Sequence, residues 1–315
     1  MVNDGDAGAR EHPPPQRPSF APNDKKGQLV AKVRDALLTL PGYFESETSI
    51  EGIEAGDLFS LNSVLGGAIE IQVVQTLNKI RSIWDPDDEW LAYRFERRSQ
   101  SFPDVRLIAR TAEGKDTAMG IELKGWYLLS KEREPSFRYT VTPDACSQYD
   151  LLVIVPWHLK NVLSGSPVAL APFVESALYA AQYRNHWWEL IRESAGEKGV
   201  IKPGAPVTPY PESKTGVNDS AANDQGGNFG RIARIGAMTD VYTKAMLSER
   251  VAGIEARSWI AFFKQYTEAH DPEAVWKRLE ANLKTAADGG NRIDAERLRV
   301  LLDEMAGIMR GATRE

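Results

Sequence analysis

The strongest constraint in this chain is the run Asp150-Leu-Leu-Val-Ile-Val-Pro156. Consecutive large aliphatic residues leave no wet face on a strand, so this segment is predicted to be a strand buried on both sides. Such a strand needs partners beside it and cover above and below. That places it at the centre of a sheet and makes the chain α/β (or α+β), with a mixed central sheet flanked by helices.

Periodic apolar stripes supply the cover. Leu29, Val33, Leu37 and Leu40 predict an amphipathic helix from Gln28 that stops before Pro41-Gly42. Residues 43–60 read as irregular. A second helix is predicted from Asn62 to Trp84 on the stripe Leu65, Ile69, Val73, Leu77 and Ile80. A third is predicted from Pro172 to Ser194 through Val174, Leu178, Ala181, Tyr183, Trp187, Trp188 and Ile191. The tryptophan pair fits a core or an interface better than a platform for nucleotide stacking. Residues 1–27 hold Pro13-Pro14-Pro15, Pro18 and Pro22 with almost nothing apolar to bury, which predicts a disordered tail. The core then spans 28–198, and 199–230 is a long loop rich in Gly, Pro, Asn, Asp and Ser. Residues 231–315 form a helical C-terminal part for recognition or dimerisation, with helices at 241–253, 255–267, 272–287 and 292–309.

Composition narrows the chemistry. Cys146 is the only cysteine, which excludes an intramolecular disulfide and a cysteine-based zinc site. His12, His158, His186 and His270 show no metal-ligand spacing. No stretch approaches the ~20 apolar residues that span a bilayer. The first residues carry Asp4, Asp6, Arg10 and Glu11 where a signal peptide needs an apolar segment, so the chain reads as cytoplasmic, without a membrane partner. A formal charge of −6 argues against nonspecific coating of nucleic acid, which rests on many Lys/Arg–phosphate contacts, but leaves room for a local basic surface.

The candidate site is the stretch 102–126. Val105–Ala109 and Ala118–Lys124 are short apolar-rich runs around a polar segment, which predicts a β-hairpin. With Ala112-Glu113-Gly114 as a three-residue loop and Gly114 at the position of positive φ, Thr111 pairs with Lys115 and Asp104 comes opposite Glu122. Glu122 and Lys124 then share a face, while Ile121 and Leu123 point into a core. Register decides whether this site assembles, because a slip of one residue sends Asp104 to the other face. Like charges across a ladder repel, and a hard cation such as Mg²⁺, usually held by one or two carboxylates with water and phosphate oxygens, removes that penalty.

Glu70 has Gly66, Gly67, Val73 and Val74 as its helical neighbours in place of lysines, so it is either the edge of a buried stripe or a third carboxylate facing the hairpin. Arg94, Arg97 and Arg98 lie on a predicted strand, Trp90–Arg98, as a solvated face or a phosphate clamp. The loop ends in Gly226-Gly-Asn-Phe-Gly-Arg231-Ile-Ala-Arg234. A helix beginning near Arg231 would offer N–H groups, with Arg231, Arg234 and Asn228 beside them, to a phosphate; a plain flexible connection is the alternative.

Pro103-Asp104, seventeen intervening residues and Glu122-Leu123-Lys124 resemble the motif of the PD-(D/E)XK nuclease superfamily, to which most type II restriction endonucleases belong. The short pattern is weak alone. Its context strengthens it: a helix bearing Glu70, then the hairpin, then the strand at 151–155 look like the family's core, over roughly residues 62–194. The resemblance implies a restriction-endonuclease-like core with a helical C-terminal layer. It implies Mg²⁺, with Mn²⁺ as a substitute, held by Asp104 and Glu122 with the Leu123 carbonyl as a further ligand. Lys124 would orient the attacking water, help its deprotonation and stabilise the phosphate charge, with Glu70 supporting. The expected substrate is double-stranded DNA, cut by a homodimer in a prokaryotic cytoplasm beside the nucleoid. A repair or mobile-element nuclease with the same core, and a non-catalytic binding or scaffold protein, are the competing readings.

Overall fold

In the computed structural model the apolar run is a strand, Leu151–Leu159, and every residue of it is buried. Each of its aliphatic side chains contributes roughly 1.5–3 kcal/mol by leaving water. The structure describes residues 13–268 and residue 300, apart from residues 56, 99, 113, 193–198, 223 and 225–227. In chain order the elements that position the site are α1 (Lys25–Thr39), α2 (Leu61–Lys79), α3 (Arg81–Trp84), β1 (Tyr93–Arg97), β2 (Val105–Thr111), β3 (Gly114–Tyr127), β4 (Leu151–Leu159), β5 (Pro167–Ala169), β6 (Phe173–Ser176) and α4 (Ala177–His186).

These strands make one mixed six-stranded sheet in the order β1-β2-β3-β4-β5, with β6 also on β4. The first three form an antiparallel meander, β3 and β4 run parallel, and β5 and β6 pair antiparallel with opposite ends of β4. The mixed sheet flanked by helices is therefore the architecture expected from the apolar run. Helix α2 buries Leu65, Ile69, Val73 and Leu77 and packs on β3 and β1. It ends at Lys79, and Trp84 on the separate turn α3 sends its indole N–H to the Leu77 carbonyl at 2.8 Å.

Several expectations need correction. The segment predicted as a helix from Pro172 begins as β6, because Phe173 and Val174 pair with Ile154 and Val153. Only at Ser176, whose Oγ accepts the Tyr179 N–H at 3.2 Å, does α4 start, and a π-turn at Trp187–Ile191 follows it. A short apolar run reads alike as strand or helix by periodicity, and here the open edge of β4 decided. The disordered tail predicted for 1–27 is contradicted over residues 13–27. Arg17 pairs with Glu175 at 2.8 Å, Phe20 stacks on Tyr149 at 5.2 Å, and Asp24 caps α1 by accepting from the Lys26 and Gly27 N–H groups. Residues 1–12 lie outside the described residues.

In the C-terminal part the helix expected over 241–253 is shorter. It spans Asp240–Leu247 (α5) and gives way to a tight hairpin, Arg250–Val251 with Ile254–Glu255, turned by Ala252 and Gly253 at positive φ. Helix α6 (Ala256–Glu268) matches its expectation and sends Trp259, Ile260 and Phe263 into the main core. The helices expected at 272–287 and 292–309 lie outside the described residues, except residue 300, which is helical. Among the described residues no helix is long and apolar enough to cross a membrane.

Candidate active site

The site lies where β3 outlasts β2. The last pair between them is Val105–Ile121, after which β3 continues alone on that side to Tyr127. The hairpin turn is tighter than expected, since Thr111 pairs with Gly114 and Arg110 with Lys115. Ala118 is then an extra residue between the pairs Ile108–Thr117 and Leu107–Met119, a bulge that advances the register by one. The two departures cancel, and Asp104, one residue before Val105, lies beside Glu122, one residue after Ile121. Gly120 permits the close approach: a Cβ there would run into the Pro103 ring and lie 2.9 Å from Asp150 Oδ1.

The three side chains of the motif meet. Lys124 Nζ lies 2.6 Å from Asp104 Oδ2 and 2.8 Å from Glu122 Oε1. Glu122 Oε2 accepts the Asp104 backbone N–H at 3.2 Å. Burial pushes the Glu122 carboxyl up, against the pull of the Lys124 ammonium, and the Asp104 charge adds to the rise. Burial also acts to raise Asp104, but Lys124 and Lys214 together hold it below its ordinary value. For Lys124 burial works downwards, yet the two carboxylates outweigh it and keep the ammonium protonated beyond the usual lysine range. The opposing charges of Asp104 and Glu122 thus outweigh burial and favour the ammonium form of Lys124.

Helix α2 supplies the groups that β2 no longer can. Asn62 Oδ1 accepts the Tyr127 N–H at 3.0 Å, and Glu70 accepts the Gly125 N–H. Glu70 also pairs with Arg97 from β1 at 3.0 Å and feels the charges of Lys124 and Asp104. Burial raises its carboxyl, with Lys124 opposing. It is therefore the third carboxylate facing the hairpin. Of the arginines expected on β1, Arg97 serves Glu70, Arg98 pairs with Glu212, and Arg94 is exposed.

One site residue escaped the sequence. Lys214 Nζ lies 2.9 Å from Asp104 Oδ1, the oxygen opposite the one Lys124 holds. It arrives on the long loop, which is docked as a strap: Tyr210 Oη donates to buried Asp150 at 3.0 Å, Arg106 donates to the Pro211 carbonyl at 2.7 Å, and the Lys214 N–H donates to the Gln100 carbonyl at 3.1 Å. Lys214 sits in the aperiodic Glu212-Ser-Lys-Thr-Gly216 with no spacing to the motif. The cue was the loop's length, which in a compact domain points to function.

The expected phosphate-binding helix near Arg231 is not formed. Ile232–Arg234 is a single 3₁₀ turn, Arg234 pairs with Glu134 at 2.9 Å and donates to Asn228 Oδ1 at 2.6 Å, and Arg231 donates to the Ser136 carbonyl at 3.4 Å. The π-turn tryptophans also serve packing: Trp188 is buried edge-on against Phe229 at 5.2 Å. Gly226 and Gly227 lie outside the described residues.

The donor set suits a hard divalent cation. Among the described residues no group of three or more His, Cys, Asp or Glu side chains forms a ready metal cage. Two carboxylates with water and phosphate are nevertheless the usual protein contribution to a Mg²⁺ site. Lys124 already spans the two carboxylates whose repulsion such an ion would relieve. Leu123, whose carbonyl the resemblance adds, lies on the part of β3 beyond its last pair with β2. No family model, no curated protein and no solved structure matches this chain.

Proposed function

We propose that the protein is a metal-dependent endonuclease of double-stranded DNA, of the type II restriction kind, with a PD-(D/E)XK site. The observation that carries this reading is the convergence of Asp104 and Glu122 within 2.8 Å of the Lys124 ammonium, with Glu70 reaching the same strand from α2. Carboxyls of one buried cluster shifted in opposite directions, Glu122 up and Asp104 down, fit the pattern of acid–base groups in a catalytic site.

Asp104 and Glu122, with the Leu123 carbonyl, would hold Mg²⁺ or Mn²⁺. When bound, the ion supplies Lewis-acid stabilisation of the phosphate and a water of lowered pKa. Lys124 is placed to orient the attacking water and to neutralise charge gathering on the phosphate oxygens. Its ion pairs with both carboxylates place its charge for that electrostatic part. Glu70 would support the site by pairing with Arg97 and by accepting the Gly125 N–H on the strand that carries Lys124. Cleavage of a palindromic site calls for a homodimer, because two-fold DNA symmetry is matched by two-fold protein symmetry.

Incubating supercoiled plasmid with the protein and Mg²⁺ tests the proposal. Discrete fragments with uniform ends, absent for Asp104→Ala, are expected. A protein that leaves plasmid and genomic DNA intact in Mg²⁺ and Mn²⁺, methylated or not, is not this nuclease. Random ends would favour a repair or mobile-element enzyme.

A further inference from the structure

We propose that Lys214 is a second catalytic cation of the site, carried in by the strap, and that it binds a nonbridging oxygen of the scissile phosphate; this deepens the nuclease reading and rests on it. The ammonium lies 2.9 Å from Asp104 Oδ1. Its side chain is 40% exposed where that of Lys124 is 21%, so it is the cation a polyanion meets first. Its backbone is fixed on either side. Arg106 holds the Pro211 carbonyl at 2.7 Å, Thr142 donates to the Val217 carbonyl at 2.7 Å, and the Val217 side chain is buried. Between those anchors the Cα is held in place while the side chain stays 40% exposed.

Charge decides what that side chain does. Asp104 carries an ammonium on each oxygen, Lys124 on Oδ2 and Lys214 on Oδ1. A divalent cation bound to Asp104 repels both. Lys124 retains Glu122 at 2.8 Å, whereas among the described residues Lys214 makes its carboxylate contact with Asp104 alone. The anion that arrives with DNA is a phosphate, and a displaced ammonium on a fixed stem pairs with it. In the hydrolysis water oxygen bonds to phosphorus, the bond from phosphorus to the 3′ oxygen breaks, and that oxygen takes up a proton. Lys214 gives up no proton and serves the charge on the nonbridging oxygen.

Two readouts on the full chain test this. In a Lys124→Ala background, which blocks cutting, adding Lys214→Ala should lower the slope of log affinity for a DNA duplex against log salt by about 0.9, the loss of one phosphate contact. In the otherwise native protein, Lys214→Ala should lower kcat for plasmid cleavage roughly 100-fold, as for removal of one charge-stabilising donor. Lys214→Arg should restore part of it, and Mn²⁺ affinity by calorimetry should not fall. An unchanged salt slope, or cleavage within about twofold of the native protein, overturns the inference while the nuclease reading stands. A drop in cleavage accompanied by weaker Mn²⁺ binding and an unchanged slope also overturns it, as a structural effect. If the native protein neither cuts DNA nor binds Mn²⁺, the nuclease reading falls and takes this inference with it.

Discussion

Arg184–Asp219 and Asp104–Glu122–Lys124 both take charge out of water, but only the first is sealed from it, with both partners 1% exposed against 21% for Lys124 and 15% for Asp104. Arg184 on α4 spreads its donors over the Tyr139 and Val141 carbonyls, Asn185 Oδ1 and Asp219 Oδ2, at 2.6–2.9 Å. Asp219 answers with Oδ1 to the Gly204 N–H and Oδ2 to Asn185, and both partners are 1% exposed. One cation meets one anion, and the pair ties the end of the strap at Asp219, which also holds Gly204 near its start, to α4 and to the segment before β4. In the candidate site two carboxylates are met by two lysines whose side chains stay partly exposed, and Glu122 Oε2 has a single N–H at 3.2 Å among the described residues. A sealed, fully bonded pair leaves no room for a ligand, whereas a partly exposed acid cluster with shifted acidities is where one can enter.

The largest effect tests the structural half. Arg184→Met leaves Asp219 buried and unpaired, and should cost about 3–5 kcal/mol in urea unfolding. A loss under about 1 kcal/mol would break the contrast. Next comes the ligand half: Mn²⁺ at about 100 times its Kd should stabilise the native protein by about 2.7 kcal/mol in thermal unfolding and leave Asp104→Ala unmoved. Equal stabilisation of the two would place the metal elsewhere. Glu70→Gln should then cost about 10–100-fold in metal affinity or cleavage, as loss of a supporting contact does. An unchanged Glu70→Gln enzyme would return Glu70 to a mere ion pair with Arg97.

The smallest expected effect is in pH. Burial raises Glu122 from 4.5 to about 7, so the folded state binds its proton more tightly than the unfolded chain. Its contribution is complete below about pH 4.5 and is lost as pH rises towards about 7. Metal-free native protein should lose stability across that window more steeply than Glu122→Gln. Asp104, held low by the two lysines, contributes in the opposite sense and only at more acid pH. Parallel curves for the two proteins would show that Glu122 is not strained.

The parts of this molecule legible in its sequence are those fixed by short-range patterns. The β4 run, the α2 stripe and the hairpin that faces Asp104 to Glu122 follow from periods of two and 3.6. The site register came out correct although the turn did not, because the bulge at Ala118 offsets the tighter turn at Thr111–Gly114. Glu70 stood out by its apolar helical neighbours. Lys214 did not, since its position depends on Tyr210 reaching Asp150 and on Arg106 reaching Pro211, contacts spanning 60 and 105 residues. Nor did β6, whose pairing with β4 overrides a helical stripe, or Arg17 and Phe20, which are held by partners far along the chain.

The most direct measurement sets cleavage beside stability for Glu122→Gln, a change that keeps the shape of the side chain and removes its charge. In Mg²⁺ at neutral pH the account predicts plasmid cleavage lowered by about 10²–10³-fold or more, with an unfolding midpoint equal to or above that of the native protein. Native-like cleavage by Glu122→Gln would contradict it.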